Sequence, residues 1–273
     1  MTILFVTLIV GAAAGTVGAL LGVGGGLFLM PFLTKVLHLP FSVATGVSLV
    51  TIIATSSASS AASGRLRLVN LRLAMLLEVF TVAGALIAIT LFAGLSEATI
   101  GQIFGWTMLA IAVMVLSRID RRNVILGEVT DVGWMGGRYA EKEAGGEVAY
   151  RLKRAPVAFG MSLLAGVVSG FGIGGGVMVV PALNTWCGVP IRVAAATSSF
   201  VLGVTALVGA AHAFLKGDIV PELAAAAGIG VLGGTQLGVR LGVSLPAKTQ
   251  KLLMVVFLVI VWAIFFFDLK ARR

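Results

Sequence analysis

The segment Gly22-Val23-Gly24-Gly25-Gly26-Leu27-Phe28-Leu29-Met30-Pro31-Phe32-Leu33 decides how this chain is read, because it occurs twice. Its echo is Gly172-Ile173-Gly174-Gly175-Gly176-Val177-Met178-Val179-Val180-Pro181-Ala182-Leu183, at an offset of 150 residues. The register continues beyond the glycines. Pro40 falls on Pro190, Val43 and Ala44 on Val193 and Ala194, Ser48 on Ser198, and Gly84 on Gly234. Chance repeats a glycine triplet in so glycine-rich a chain, but not two prolines and a serine in the same register. The chain reads as two copies of one unit.

The solvent for most of that unit is lipid. Of 273 residues, 59% are hydrophobic and 11% charged, and mean hydropathy is +1.08. Soluble domains carry about 25% charged residues, so these few charges do not cover a water-facing surface. A net charge of +9 is compatible with nucleic-acid binding. Here, however, the basic residues sit in short breaks between apolar runs, where they act as topology signals and lipid head-group contacts. Cys187 is the only cysteine, which excludes a disulfide framework or a paired-cysteine metal motif. His38 and His212 lack ligand spacing, so no metal and no cofactor is expected. The first residues carry no basic stretch or small-residue cleavage site, and the first apolar run is expected to be a retained membrane helix.

A spanning helix takes about 20 mostly apolar residues. Eight runs reach that length, near 2–37, 43–62, 71–94, 99–117, 156–187, 191–214, 220–243 and 250–268. The first and fifth exceed a single crossing, and each is interrupted by the glycine cluster and then a proline. The expectation is an all-α polytopic membrane protein with about eight transmembrane helices. They form two homologous four-helix repeats, 1–117 and 156–273, each opening with a glycine-broken helix, joined by a cytoplasmic linker, 118–155. Gly136-Gly137 and Gly145-Gly146 favour a loose or partly helical connector there.

With eight single crossings, the linker and both termini share a side. That side collects fifteen basic residues, among them Arg65, Arg67, Arg72 and the eight between Arg118 and Arg154, against five opposite. The positive-inside rule then makes both termini cytoplasmic, and the halves parallel. The alternative, in which each glycine-proline segment crosses twice and the halves are inverted, is common in transporters. The charge count favours the parallel arrangement.

Three consecutive glycines weaken a helix by about 1 kcal/mol each against alanine, and Pro31 and Pro181 follow within two turns. A broken helix results, and irregular backbone at membrane depth persists only where protein or water satisfies it. Freed amides attract anions, so Gly24, Gly25 and Gly26 with Gly174, Gly175 and Gly176 are candidate substrate-binding residues. Close helix packing is the competing explanation, and it suits Gly11, Gly15, Gly18 and Gly22, at helical spacing, better. Ser48 and Ser198, related by the offset, are candidate hydroxyl donors, or else bond the preceding turn of their own helix. The run Thr55-Ser56-Ser57-Ala58-Ser59-Ser60 lines a polar path or packs small. Glu78, about two turns into its apolar run, is a proton-coupling candidate or a partner for Arg72, since intramembrane charge is costly.

These paired glycine-proline segments, each followed by a proline, an alanine and a hydroxyl-bearing helix, resemble the sulfite exporter TauE/SafE family. The stretch from Ser169 to Gly176 leading to Pro181 carries the resemblance most clearly, and it extends over nearly the whole chain. It implies a secondary transporter of a small anion in the bacterial inner membrane: sulfite, an organosulfonate or a related organic anion, with export as the expected direction. An anion channel or uptake carrier shares the same features, and an intramembrane enzyme or a scaffold is the rival from another class. Expected partners are the anion, membrane lipids and, as one option, a second copy in a homodimer, with no nucleic acid. Leu20 stands where the second half has Gly170, and the loop from Arg65 to Arg72 is more basic than its counterpart.

Overall fold

A computed structural model describes residues 2–65, 67–91, 94–117, 132–141, 146–170 and 175–271. Helix α1 (Thr2–Leu21) ends where Gly22 adopts φ +70°, a left-handed conformation that glycine takes without steric cost. The Gly18 carbonyl accepts from the amides of Val23 and Gly24 at 2.9 and 3.3 Å, closing the helix end. The chain then reverses. Gly25 backs onto Ala14, and α2 (Gly26–Pro31) carries Leu29 into a cluster with Val10 and Leu4. Residue numbers rise along α2 while they fall along α1, so the two limbs are antiparallel. A π-helical turn, Phe32–Val36, follows the proline, with the Leu37 amide donating to the Phe32 carbonyl.

The second half repeats the device. Helix α6 (Ala155–Ser169) lies against α7 (Gly176–Thr185), with Gly175 packed on Ala165. The Lys153 amide donates to the Cys187 carbonyl at 2.8 Å, joining the far end of α7 to the start of α6. Individual backbone hydrogen bonds recur at the sequence offset. Leu39 to Leu33 is matched by Val189 to Leu183, and Leu37 to Phe32 by Cys187 to Ala182.

The remaining helices are α3 (Phe41–Arg65), α4 (Leu71–Leu91), α5 (Glu97–Leu116), α8 (Ile191–Leu215), α9 (Pro221–Ser244) and α10 (Ala247–Ala271). Among the described residues, α1, α3, α4, α8 and α9 are long and apolar enough to cross a membrane. Their outward faces carry large apolar side chains such as Phe5, Met75, Phe214 and Leu237, as lipid contact requires.

Close backbone approach sets the order of packing. Leu8, Ala12 and Thr16 of α1 meet Gly230, Gly234 and Gly238 of α9, so these helices run parallel. The Thr16 hydroxyl also donates to the Gly234 carbonyl at 3.0 Å. At the equivalent contact Gly84 of α4 meets Leu163 and Val167 of α6, and Phe80 stacks on Phe159. Small residues let membrane helices approach this closely, and van der Waals contact is then the main attraction. Helices α3 and α8 cross at the centre, where Gly46 meets Asp218, Leu49 meets Gly209 and Ser56 meets Gly203. Numbers rise on one as they fall on the other, so the pair is antiparallel.

That crossing corrects the parallel arrangement with eight single crossings. Helices α3 and α8 occupy the same place in the two copies, yet they point in opposite directions. Each glycine segment is a hairpin that leaves the bundle at the end where it started, so three helices per half carry the chain from end to end. The start of α1 and the end of α10 therefore lie at one end of the bundle, and the segment joining α5 to α6 lies at the other.

The described part of that segment is neither loose nor helical. β1 (Gly137–Glu141) and β2 (Gly146–Tyr150) pair antiparallel, with Arg138 opposite Ala149. Tyr139, Val148 and Tyr150 are buried against the bundle end. Asn70 fastens the hairpin, its side-chain amide donating to the Met135 carbonyl at 3.0 Å and the Tyr150 hydroxyl at 2.9 Å. Burial pushes the Tyr150 hydroxyl above its ordinary pKa, and the Asn70 hydrogen bond works against that shift.

Two measurements test this architecture. A cysteine introduced near residue 3 and one introduced near residue 134 should be labelled by an impermeant thiol reagent from opposite faces of sealed vesicles. Labelling of both from one face would restore the parallel arrangement. A methyl group on Gly234 would strike the Ala12 carbonyl, whereas one on Gly233 meets nothing within 4 Å. Gly234→Ala should thus lower thermal stability by about 1–3 kcal/mol, and Gly233→Ala should not, as read by heating in detergent and scoring the monodisperse fraction.

Candidate functional site

The glycine turns of both halves meet where α3 crosses α8. A Cβ built on Gly24 would touch Ile52 of α3 and Leu202 of α8, both near the middle of their helices. One on Gly176 would approach the Gly22 carbonyl of the other hairpin at 2.6 Å and the Ser198 hydroxyl at 3.0 Å. One on Gly26 would collide with the Ser48 hydroxyl and Ile52. Glycine at 26 and 176 is therefore required by space. The structure brings Gly26 to Ser48 and Gly176 to Ser198, whereas Gly24 lies against Ile52 and Leu202, Gly25 against Thr55 and Ala14, and Gly175 against Ala165. Gly174 lies outside the described residues.

The amides of this turn differ from the expected set of open donors. Gly24 donates to the Gly18 carbonyl, and Gly25 donates to the Thr55 hydroxyl at 3.2 Å. Thr55 in turn donates to the Thr51 carbonyl at 2.7 Å. Backbone loosened by glycine at this depth needs such partners, since an unsatisfied amide in apolar surroundings costs several kcal/mol. Two of the three amides in the first half are thus committed to holding the turn, and the remaining polarity near it comes from hydroxyls.

Those hydroxyls cluster on the two crossing helices. Ser48, Thr51, Thr55 and Ser59 of α3, and Thr197, Ser198, Ser199 and Thr205 of α8, are all buried. Ser56 donates to the Ser199 carbonyl at 2.5 Å, tying the helices together, while Ser57 faces outward and bonds back to Ile53. The Ser198 hydroxyl has no hydrogen-bond partner among the described residues. It is a polar group in the protein interior with bonding capacity to spare.

Glu78 approaches the same cluster from α4. The Thr205 hydroxyl lies 3.2 Å from Glu78 Oε1 and 2.9 Å from the Thr81 hydroxyl, and Thr81 donates to the Glu78 carbonyl at 3.0 Å. The other carboxylate oxygen, Oε2, is buried with no partner among the described residues. Arg72 is exposed at the helix start and is not its partner. A threonine hydroxyl donates one proton only, so whether Glu78 carries a proton decides how these three groups share their bonds. Sequence reasoning passed over Thr205, although it stands 150 residues after Thr55. It also missed the glycine that replaces the acid in the second half, Gly228 at the position equivalent to Glu78. The acid at this position is therefore present once.

No group of three or more metal-ligating side chains occurs among the described residues. What the arrangement can do is hold a small polar solute against hydroxyls and glycine backbone, between two helical hairpins, beside one carboxyl group.

Comparison with known proteins agrees with this reading of the chain as a carrier. The family described as sulfite exporter TauE/SafE matches residues 7–265. The probable membrane transporter protein YunE of Bacillus subtilis (strain 168) is 28% identical over 266 residues, covering 94% of this chain and 95% of that protein. No solved structure matches. The family match spans both glycine hairpins, the α3–α8 crossing and Glu78, and on that ground the chain belongs to the TauE/SafE family of membrane transporters.

Proposed function

We propose that the protein is a secondary transporter that exports a small anion, of the class of sulfite, organosulfonates or related organic anions, across the bacterial inner membrane. The supporting observation is the meeting of two glycine hairpins at the α3–α8 crossing, where Ser48, Thr55 and Ser198 gather and Glu78 is, among the described residues, the one acid bonded to the hydroxyl network. Hydroxyl and amide donors bind an anion without the desolvation cost of a buried cation. The anion rests between the turns, against Ser198 and the amide of Gly176, with Ser48 and Gly26 opposite.

Two inverted copies around one site are a basis for alternating access, in which one repeat rocks against the other. On this view 1–117 and 156–273 are the two repeats, joined by 118–155. Among the described residues, eleven basic residues stand at the end of the bundle that carries the β-hairpin, Arg65, Arg67, Arg72 and Arg192 among them, and three, Lys35, Lys216 and Lys270, stand at the other. The positive-inside rule therefore puts the hairpin in the cytoplasm, and both termini on the outer face, in place of the cytoplasmic termini expected from eight single crossings.

Coupling is assigned to Glu78, whose proton determines what Thr205 and Thr81 bond to. This separates a proton-coupled carrier from a channel, which needs no such group. In proteoliposomes, labelled sulfite, small sulfonates and carboxylates are offered with and without a pH gradient. Saturable flux of one anion, stimulated by the gradient in the wild type and unresponsive to it in Glu78→Gln, is the expected result. Ser198→Ala removes a hydroxyl that makes no hydrogen bond among the described residues, so the protein should remain as stable while flux falls by about tenfold. Wild-type flux in Ser198→Ala would remove the site from consideration, and gradient-dependent flux in Glu78→Gln would remove the coupling role.

A further inference from the structure

The joint between α4 and α6 turns one face out of the bundle. The two helices run parallel, since Phe80 stacks on Phe159 and, one turn later on both, Gly84 meets Leu163. The two rings lie 4.8 Å apart, 13° from coplanar, and both residues are half-buried. Beside them α6 presents Pro156, Gly160 and Leu164, all exposed and four residues apart, which puts them on one helix face. A Cβ built on Gly160 would meet nothing within 4 Å. The glycine therefore leaves a notch in an apolar face, next to the stacked rings. Val79 of α4, 66% exposed, carries that apolar surface onto the other helix.

Positive charge stands at one end of the same joint. Arg72 and Arg151 lie eight residues before Phe80 and Phe159 respectively, and both are exposed. Eight helical residues span about 12 Å, so Arg72 stands that far from the rings, toward the β-hairpin. Arg151, ahead of the first turn of α6, stands at least as far in the same direction. Its Nε is 3.5 Å from a Cβ built on Gly133, next to Trp134, which is 65% exposed. Asn70, just before α4, donates to the Met135 carbonyl and to the Tyr150 hydroxyl, so Trp134 and Arg151 belong to the corner that Arg72 occupies. Glu147 is an exposed acid on β2, but it stands three strand residues, about 10 Å, from Tyr150. Exposed tryptophan and arginine above an apolar face mark the level of lipid head groups.

The equivalent joint in the repeat shows that packing does not require these groups. There α1 meets α9 through Gly230 and Gly234, the counterparts of Phe80 and Gly84. Ile9 stands in place of Phe159, and the exposed acid Glu222 in place of Arg72. Two helices of this fold thus approach as closely with no ring stack and with the opposite charge. The arginines and the rings at α4–α6 serve something outside the bundle.

We propose that the α4–α6 joint binds an anionic glycerophospholipid, its phosphate against Arg72 and Arg151 and one acyl chain along the Gly160 notch. The phosphate matches the guanidinium forks, and the chain covers apolar surface that water would leave exposed. Because α4 belongs to the first repeat and α6 to the second, the bound lipid bridges the halves. The inference is independent of the transport reading, since its test measures binding and no flux.

Purified full-length protein in mild detergent is heated with phosphatidylglycerol or with phosphatidylcholine of the same acyl chains. Phosphatidylglycerol should raise the unfolding temperature saturably, at about tenfold lower concentration than phosphatidylcholine. Arg72→Gln combined with Arg151→Gln should remove that preference, while Lys216→Gln, at the opposite end of the bundle, should leave it intact. Gly160→Phe should fold, because its side chain enters open space, and should raise the concentration needed of both lipids. Equal shifts from the two lipids in the wild type would overturn the proposal. So would a preference that survives the double arginine variant, or one that Lys216→Gln lowers as much, since charge would then act without a site. An unchanged response in Gly160→Phe would remove the acyl chain from the joint and the proposal with it.

Discussion

In a bundle solvated by lipid, a peptide group that leaves helical hydrogen bonding must find a partner within the protein. The reversals at Gly22 to Gly26 and at Gly175 to Gly176 are set at the depth where α3 crosses α8, so this requirement governs everything around them. In the first half the Gly18 carbonyl takes two amides and Thr55 takes a third. Those bonds dictate that α1 must end one turn past Gly18, that α3 must present a threonine at position 55, and that the two limbs of the hairpin must lie in contact. The tight fit of Gly26 on Ser48 and of Gly176 on Ser198 follows from the same reversal, since any side chain there would hold the hairpin away from its supports.

The same close contact that satisfies backbone groups also joins the halves. Helix α1 of the first half packs on α9 of the second, and α6 of the second packs on α4 of the first, each through glycines that bring main chains together. Neither half encloses its own hairpin. Each depends on the other's fourth helix, so the crossing of α3 and α8 is a shared centre, and a solute held there is held by both copies. Movement of one half against the other would change the environment of that centre without dismantling either hairpin.

Departures from symmetry include two charged positions. Hydrogen bonds around Leu33 and Leu183 are duplicated, and the glycine contacts of α1–α9 and α4–α6 correspond. Glu78 has Gly228 as its equivalent, and Arg192 has Ser42. Thr55 receives a backbone amide, whereas its equivalent Thr205 meets a carboxylate and a second threonine. Duplication supplied the frame, and substitution at a few sites in one copy supplied a titratable group at the centre and positive charge at the hairpin end.

Much of this protein was legible from residue order. The echo at 150 residues, the apolar runs and the scarcity of charge establish a duplicated helical membrane protein, because lipid burial and helix length act locally and leave their mark in composition and period. The glycine triplets, Ser48, Ser198 and Glu78 were marked by their rarity or their register, and all but Gly174 lie among the described residues near the crossing. The direction of each helix was not legible. A broken crossing and a re-entrant hairpin have the same glycines and the same proline, and basic residues crowd one side on either arrangement. Only contacts distant in sequence, such as Gly25 on Ala14 and Gly46 on Asp218, separate them. The use of Gly24 and Gly25 amides and the Thr205 network likewise depend on neighbours more than a hundred residues away or across a reversed chain. Hydrophobicity and propensity act along the chain and are written in it, whereas partners for buried polar groups are chosen in three dimensions.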